Sequence, residues 1–335
     1  MKQKIVSVLK VFISLGLGVY IFWLVYRNAD MEQMKQILSE GVSYWLLFIS
    51  AIIGLFSHIA RAKRWQMLIQ PLGVRPSVKE LTYAIFVNYG VNIILPRVGE
   101  FTRCGMVAKK HKLKFTEVVG TLVSERFTDV MTVLLIVLVA FAMQIKTFIR
   151  FFDENGTVFD KIDGVLTSVW FYIIILMIIV FTYAFFKNFS HFTIVSKTKQ
   201  VFRNLWYGAM SIRKLESPYA YLFFSFMIWF LYFIQLYIMV KAFVFTDSIT
   251  MLVCFIAFAM TSIAGIVPVQ GGIGAWHFAV ITTFVYYGTG RAEASAFALV
   301  AHLLTTFLNA FWGAFGFLAA TNRLTFITGR NTSNT

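Results

Sequence analysis

Charged side chains are scarce in this chain: 45 of its 335 residues are Asp, Glu, Lys or Arg, 13% of the total, where a soluble protein carries about 25%. Long polar segments are scarce too. None exceeds roughly 30 residues, which leaves no room for a folded nucleotide-binding or acyltransferase domain. Neither a G-x-x-x-x-G-K-[ST] loop nor an H-E-x-x-H pair occurs, so ATPase and zinc-hydrolase chemistry have no motif to rest on. Only two cysteines occur, Cys104 and Cys254, too far apart for metal-ligand or redox spacing. What fills the chain is apolar: AVILMFWYC residues make up 59%, in continuous runs of bilayer-spanning length, about 17–25 residues. Continuous runs, as opposed to period-two alternation, exclude a transmembrane barrel. A soluble multi-domain enzyme is excluded. An all-α polytopic membrane protein, a single integral membrane domain over 1–335 with no metal and no cofactor, is expected.

Six apolar segments read as spanning helices: about 5–26, 43–60, 117–144, 165–187, 218–243 and 292–321. The first resembles a signal peptide, but Arg27-Asn28-Ala29-Asp30 is no cleavage site, so an uncleaved helix is expected. Two further stretches are interrupted by Pro and Gly: Leu81–Val107 at Pro96-Arg97-Val98-Gly99-Glu100, and Met251–Tyr287 at Pro268-Val269-Gln270-Gly271-Gly272-Ile273-Gly274. If both are re-entrant hairpins, 22 Lys and Arg fall on one side of the membrane and six on the other, where nine Asp and Glu lie. Such asymmetry puts both termini in the cytoplasm, and it accounts for the net charge of +15 without nucleic acid as a partner. An eight-span threading also keeps both termini inside, but moves the basic 97–116 loop outside. The hairpin threading makes an inverted repeat of a first half, 43–144, and a second half, 218–321. A faint echo supports it: Pro96-x-x-Gly99 matches Pro268-x-x-Gly271, and Glu117 and Arg126 match Glu293 and His302 in spacing. Paired broken segments in equivalent halves point to a midplane binding site. Residues 191–215 fit an amphipathic interfacial helix.

Broken helices are tolerated in a membrane only where protein or water covers their backbone groups. The two breaks are therefore expected to face an internal cavity, with Gly271, Gly272 and Gly274 allowing tight backbone and the following helix starts offering N–H donors to an anion. Arg97, Glu100 and Arg103 surround the first break, and Glu125, Arg126 and Asp129 lie inside the 117–144 helix. Charges at such depth cost about 2.5–3.5 kcal/mol each and face a partner or water. They read either as a self-neutralising cluster or as a phosphate grip, in which Arg97, Arg103 and Arg126 bind and the carboxylates hold them in place or receive a cationic headgroup. Asn88 and Asn92, one turn apart, are candidates for the same cavity, as are His277 and His302 on the opposite half. His58, Arg61, Lys63, Arg64 and Trp65 read as anchors where the second helix leaves the membrane.

The run Leu95-Pro96-Arg97-Val98-Gly99-Glu100-Phe101-Thr102-Arg103, followed by Ser124-Glu125-Arg126-Phe127-Thr128-Asp129, resembles the lysylphosphatidylglycerol synthase transmembrane (flippase-like) family. The later Pro268…Gly271-Gly272-Ile273-Gly274 is similar to that family's second motif, although His277 stands where members commonly carry a Glu. The resemblance implies site roles for Pro96, Arg97, Gly99, Glu100, Arg103, Glu125, Arg126 and Asp129. It also implies a multi-pass protein of the cytoplasmic membrane that moves a polar lipid: a phospholipid, an aminoacylated phospholipid or a polyprenyl-phosphate lipid. The competing expectation is a membrane subunit that presents a lipid phosphate to a partner glycosyl- or aminoacyl-transferase. With no transferase domain, the chain is not expected to be an enzyme or to make lysyl-lipid itself. A membrane-associated transferase and further copies of the chain remain as candidate partners.

Overall fold

The computed structural model describes residues 16, 18–27, 31–39, 41–95, 97–145, 177, 203, 206, 213–246, 249–265 and 269–322. Residues 18–26 are helical. The helices that follow are α1 (Met31–Ser39), α2 (Tyr44–Ile69), α3 (Val78–Ile94), α4 (Val98–Lys110), α5 (Phe115–Met143), α6 (Pro218–Val240), α7 (Met251–Ala264), α8 (Ala275–Tyr286) and α9 (Arg291–Asn322). Four regions among the described residues, built on α2, α5, α6 and α9, are long and apolar enough to cross a membrane, so the chain is a membrane protein. Most of the expected 165–187 span, most of the 191–215 amphipathic segment, more than half of the first span, Pro96 and Pro268 lie outside the described residues.

Local chemistry explains three of these helix starts. Ser77 Oγ accepts from the Glu80 N–H at 3.2 Å ahead of α3, the Ser-x-x-Glu start signal. Ser217 precedes Pro218 at the first position of α6, where a missing N–H costs nothing. Thr250 Oγ1 accepts from the Val253 N–H at the head of α7.

The two interrupted stretches form helical pairs. In α3–α4 the chain reverses: Lys110 Nζ and His111 Nε2 reach back to Glu80 at 2.9 and 2.7 Å, and Gly99 packs on the Asn88 carbonyl, with no room for a Cβ. With 17 and 13 residues, α3 and α4 are about 25 and 20 Å long, shorter than the roughly 30 Å hydrocarbon core. Helices α7 and α8, of 14 and 12 residues, are likewise short, and they too pack against each other.

Two separate apolar cores result. One gathers Trp65, Leu68 and Ile69 from the end of α2, Leu81 and Ile85 of α3, Cys104 and Val107 of α4, and Val118 and Leu122 from the start of α5. The other gathers Phe233, Leu236 and Val240 from the end of α6, Cys254 and Ala257 of α7, Val280 and Phe284 of α8, and Phe297 and Ala301 from the start of α9. Four consecutive helices supply each core, α2–α5 the first and α6–α9 the second, and α2 and α6 run in opposite directions. Ser43 N–H, before α2, donates to Ala242 O, after α6, at 2.7 Å, while Tyr221, at the start of α6, joins the first core beside the end of α2.

The halves are also clamped where α3 crosses α9. A Cβ at Gly90 would meet Gly313 Cα at 2.9 Å, and one at Gly316 would meet Phe86 Cβ at 2.6 Å. Small residues permit this approach, and dispersion between the helices is what holds membrane helices together. Gly313→Val is expected to lower the unfolding temperature in detergent, at an overpacking cost of about 1–3 kcal/mol. In Gly105→Ala the new Cβ meets only Phe115, at 3.9 Å. That control should hold or gain stability, since Ala exceeds Gly in a helix by about 1 kcal/mol.

Candidate functional site

Glu125 lies about 15 Å along α5 and is fully buried. Four guanidinium groups converge on it: Arg61 Nε at 2.9 Å and Arg64 at 3.5 Å from α2, Arg103 at 2.9 Å from α4, and its neighbour Arg126 at 3.1 Å. One turn deeper, Asp129 takes Arg64 at 2.7 Å, Arg126 at 3.2 Å and the edge of Arg61 at 4.0 Å. Glu100 closes the ring on Arg126 at 3.5 Å. Four arginines against three carboxylates leave one net positive charge. Arg103 also lies over the Trp65 ring, 4.3 Å from its centroid, a cation–π contact strengthened by desolvation. The Trp65 indole N–H donates to Thr121 Oγ1 at 3.0 Å, and Thr128 shares a 2.8 Å hydroxyl contact with Tyr221 of α6.

Of the residues expected at the first break, Glu100, Arg103, Glu125, Arg126 and Asp129 come together. Arg97 sits exposed at the hairpin tip, immediately before α4, with a left-handed backbone (φ 64°) uncommon outside glycine. Asn92 has a different task from cavity lining. Its Oδ1 accepts from the Gly99 N–H at 2.8 Å, and its Nδ2 approaches Asn88 Oδ1 at 3.4 Å. The helix start expected to offer that donor to an anion is thus capped from within, and Asn88 is buried beneath it.

The second break is braced in the same manner. His277 Nδ1 accepts from the Gly274 N–H at 3.3 Å, and His302 Nε2 donates to Gly271 O at 2.9 Å. These partners assign the proton of His277 to Nε2 and that of His302 to Nε2. The two rings lie 4.5 Å apart. Gly271, Gly272 and Gly274 have φ of 60°, 77° and 81°, a region that costs other residues dearly. Gly274 also faces Ile21, which a Cβ would meet at 2.6 Å. It packs against the 18–26 helix, not toward a cavity.

Arg61 and Arg64 correct the sequence reading. Helix α2 does not stop near residue 60 but runs to Ile69, and Arg64 and Trp65 are completely buried, so they are not interfacial anchors. A signal existed: Arg61 and Arg64 are spaced i, i+3, and Glu125 and Asp129 i, i+4, so each pair lies on one helix face. Buried carboxylates demand partners of that kind.

Between the two cores lies a cavity of about 550 Å³. Helix α2 contributes Gly54, His58 and Arg61 to its wall, α3 contributes Tyr89, and α6 contributes Trp229, Tyr232 and Gln235. Thr261 of α7, Trp276 of α8 and Asn309 of α9 line it too. Arg61 joins this space to the charge cluster, donating from Nη1 to the Tyr89 hydroxyl at 2.9 Å. Trp276, 5.8 Å from His302, joins it to the second break. A second hollow of about 570 Å³, walled mainly by apolar side chains such as Ile21, Val25 and Phe278, with Arg291 also lining it, lies away from the charge cluster. Among the described residues no group of three His, Cys, Asp or Glu is placed to hold a metal.

The family described as Lysylphosphatidylglycerol synthase TM region matches residues 8–313 of the 335. No curated protein and no solved structure matches the chain.

Removing the central carboxylate alone should unfold the cluster. Glu125→Gln leaves buried arginines uncompensated and is expected to cost about 3–5 kcal/mol, read as lost monodisperse yield and a lower melting temperature. Asn92→Ala should cost about 1 kcal/mol, the usual value of a helix cap, and Asn92→Asp, which keeps the acceptor, should recover it.

Proposed function

The chain belongs to the lysylphosphatidylglycerol synthase TM region family, and from that premise we propose that it translocates a polar lipid across the cytoplasmic membrane without catalysing a reaction on it. The observation that carries this reading is the cavity between the two cores, with one edge of its wall formed by Arg61 of the ion cluster. A headgroup enters that space while its tails remain in the bilayer. Its phosphate meets Arg61, whose guanidinium is already oriented by Glu125 and Tyr89, so little side-chain freedom is lost on binding. The carboxylates position the arginines and do not touch the lipid.

In this proposal the α3–α4 and α7–α8 pairs are re-entrant hairpins, six helices span, and both termini face the cytoplasm. Rocking of one core against the other opens the cavity to each face in turn, the motion that inverted repeats favour. Energy comes from the lipid gradient or an ion gradient.

The test is translocation of tail-labelled phospholipids in proteoliposomes carrying the purified chain. Ala51→Trp places an indole in the cavity wall and is expected to abolish movement in a protein that still melts normally. Arg61→Lys keeps the charge but loses the bidentate fork, and should slow movement roughly tenfold, the effect of about 1.4 kcal/mol. A folded wild-type chain that moves no lipid would refute transport and favour presentation of a lipid phosphate to a partner transferase.

A further inference from the structure

The cavity wall has a chemistry that its neighbouring ion cluster does not share. The Gln235 and Asn309 side-chain amides line it and hydrogen-bond to no described residue. Two more polar atoms on the wall, Trp229 Nε1 and His58 Nδ1, are buried and equally without a partner, and the His58 residue is only 8% exposed. Unpaired buried polar groups are rare and call for a bound partner or water. Here two such buried atoms stand beside two unpaired, half-buried amides around one space. The hydroxyls of Thr261, Ser262 and Thr305 donate to their own helices, at 2.9, 2.7 and 2.8 Å, which leaves their oxygens as acceptors toward the cavity. The wall therefore offers both donors and acceptors.

Aromatic faces accompany these groups. Trp229, Tyr232, Trp276 and Trp312 line the same space. Flat apolar rings beside amide and hydroxyl groups match a ring or chain that presents C–H on its face and hydroxyls on its rim. Charge narrows the choice further. No carboxylate lines the cavity among the described residues. Glu125 and Asp129 stand behind Arg61 and are engaged by arginines, so a cationic headgroup would meet a guanidinium and no counter-ion. At an effective dielectric of about 20 that repulsion is substantial.

We infer that the cavity selects a phospholipid whose headgroup is a polyol or sugar carrying no positive charge, and that it discriminates against aminoacylated, cationic headgroups. This rests on the transport reading for the cavity's purpose, but its selectivity can be measured separately. The anionic phosphate sits at Arg61, and the hydroxyls reach Gln235 and Asn309 on the facing helices α6 and α9.

The experiment measures binding to the full chain in nanodiscs by native mass spectrometry, and translocation in proteoliposomes. It uses phosphatidylinositol, phosphatidic acid and lysyl-phosphatidylglycerol, with soluble inositol phosphate as the tail-less probe. Phosphatidylinositol should bind roughly tenfold or more tighter than lysyl-phosphatidylglycerol. Gln235→Leu and Asn309→Leu should each erase most of that preference and leave phosphatidic acid binding unchanged. Trp229→Phe, which keeps a ring but removes the N–H, supplies the same comparison if either variant fails to fold. Lysyl-phosphatidylglycerol binding as tightly as phosphatidylinositol, or equal losses for all lipids in the variants, would overturn the inference. Inositol phosphate binding as tightly as the lipid would overturn its assignment to a lipid. Preferential binding with no translocation would refute transport and leave the selectivity standing; translocation of every lipid at one rate would do the reverse.

Discussion

Neutralising Glu125 is the constraint on which the first half of this protein depends. A carboxylate with no solvent contact inside an apolar helix is untenable alone, and its partners arrive from three elements: Arg61 and Arg64 on α2, Arg103 on α4, and Arg126 on α5 itself. To bring Arg103 there, the chain must turn back at the α3–α4 junction. That turn is held by Asn92 on the Gly99 N–H and by the absence of a Cβ at Gly99. The hairpin, its cap and the ion cluster are one structural unit. Arg126, the most solvent-accessible of the four arginines, marks where that unit meets its surroundings.

The second half solves the equivalent problem without charge. Its break is held by two histidines on the backbone groups of Gly274 and Gly271, and its core is aromatic, with Phe284 against Phe297 and Phe243 against Phe297. Equivalent positions thus carry an ionic lock in one half and a neutral brace in the other. A space between such halves has one charged edge and otherwise aromatic and amide walls. That asymmetry is what gives the cavity a direction for a ligand with a charged end and a hydroxylated end.

Much of this architecture is legible in composition and run length. The expected helices 117–144, 218–243 and 292–321 fall within a few residues of α5, α6 and α9, because membrane helices must satisfy their backbone internally and stay apolar over their length. Both broken stretches are visible from Pro and Gly alone. Within the site, Glu100, Arg103, Glu125, Arg126 and Asp129 announce themselves because charge is conspicuous in apolar sequence. Arg61 and Arg64 do not, because the same residues at the same spacing would serve equally well as interfacial anchors if α2 ended earlier. Gln235 and Asn309 carry no charge and follow no motif, so they read as ordinary polar residues within spans.

What the sequence determines by itself is therefore the membrane class, most of the described helices, the position of both interruptions and five of the seven charged residues of the cluster. Each of these follows from local rules of hydropathy, backbone satisfaction and spacing along one helix. Tertiary structure alone decides that Asn92, His277 and His302 close the breaks, and that Gly274 faces Ile21. It also decides that Arg61 lies where the ion cluster meets the cavity, with Gln235 and Asn309 lining the same space. These outcomes depend on which helix faces land opposite one another when α2 meets α6 and α3 meets α9, and no local pattern encodes that pairing.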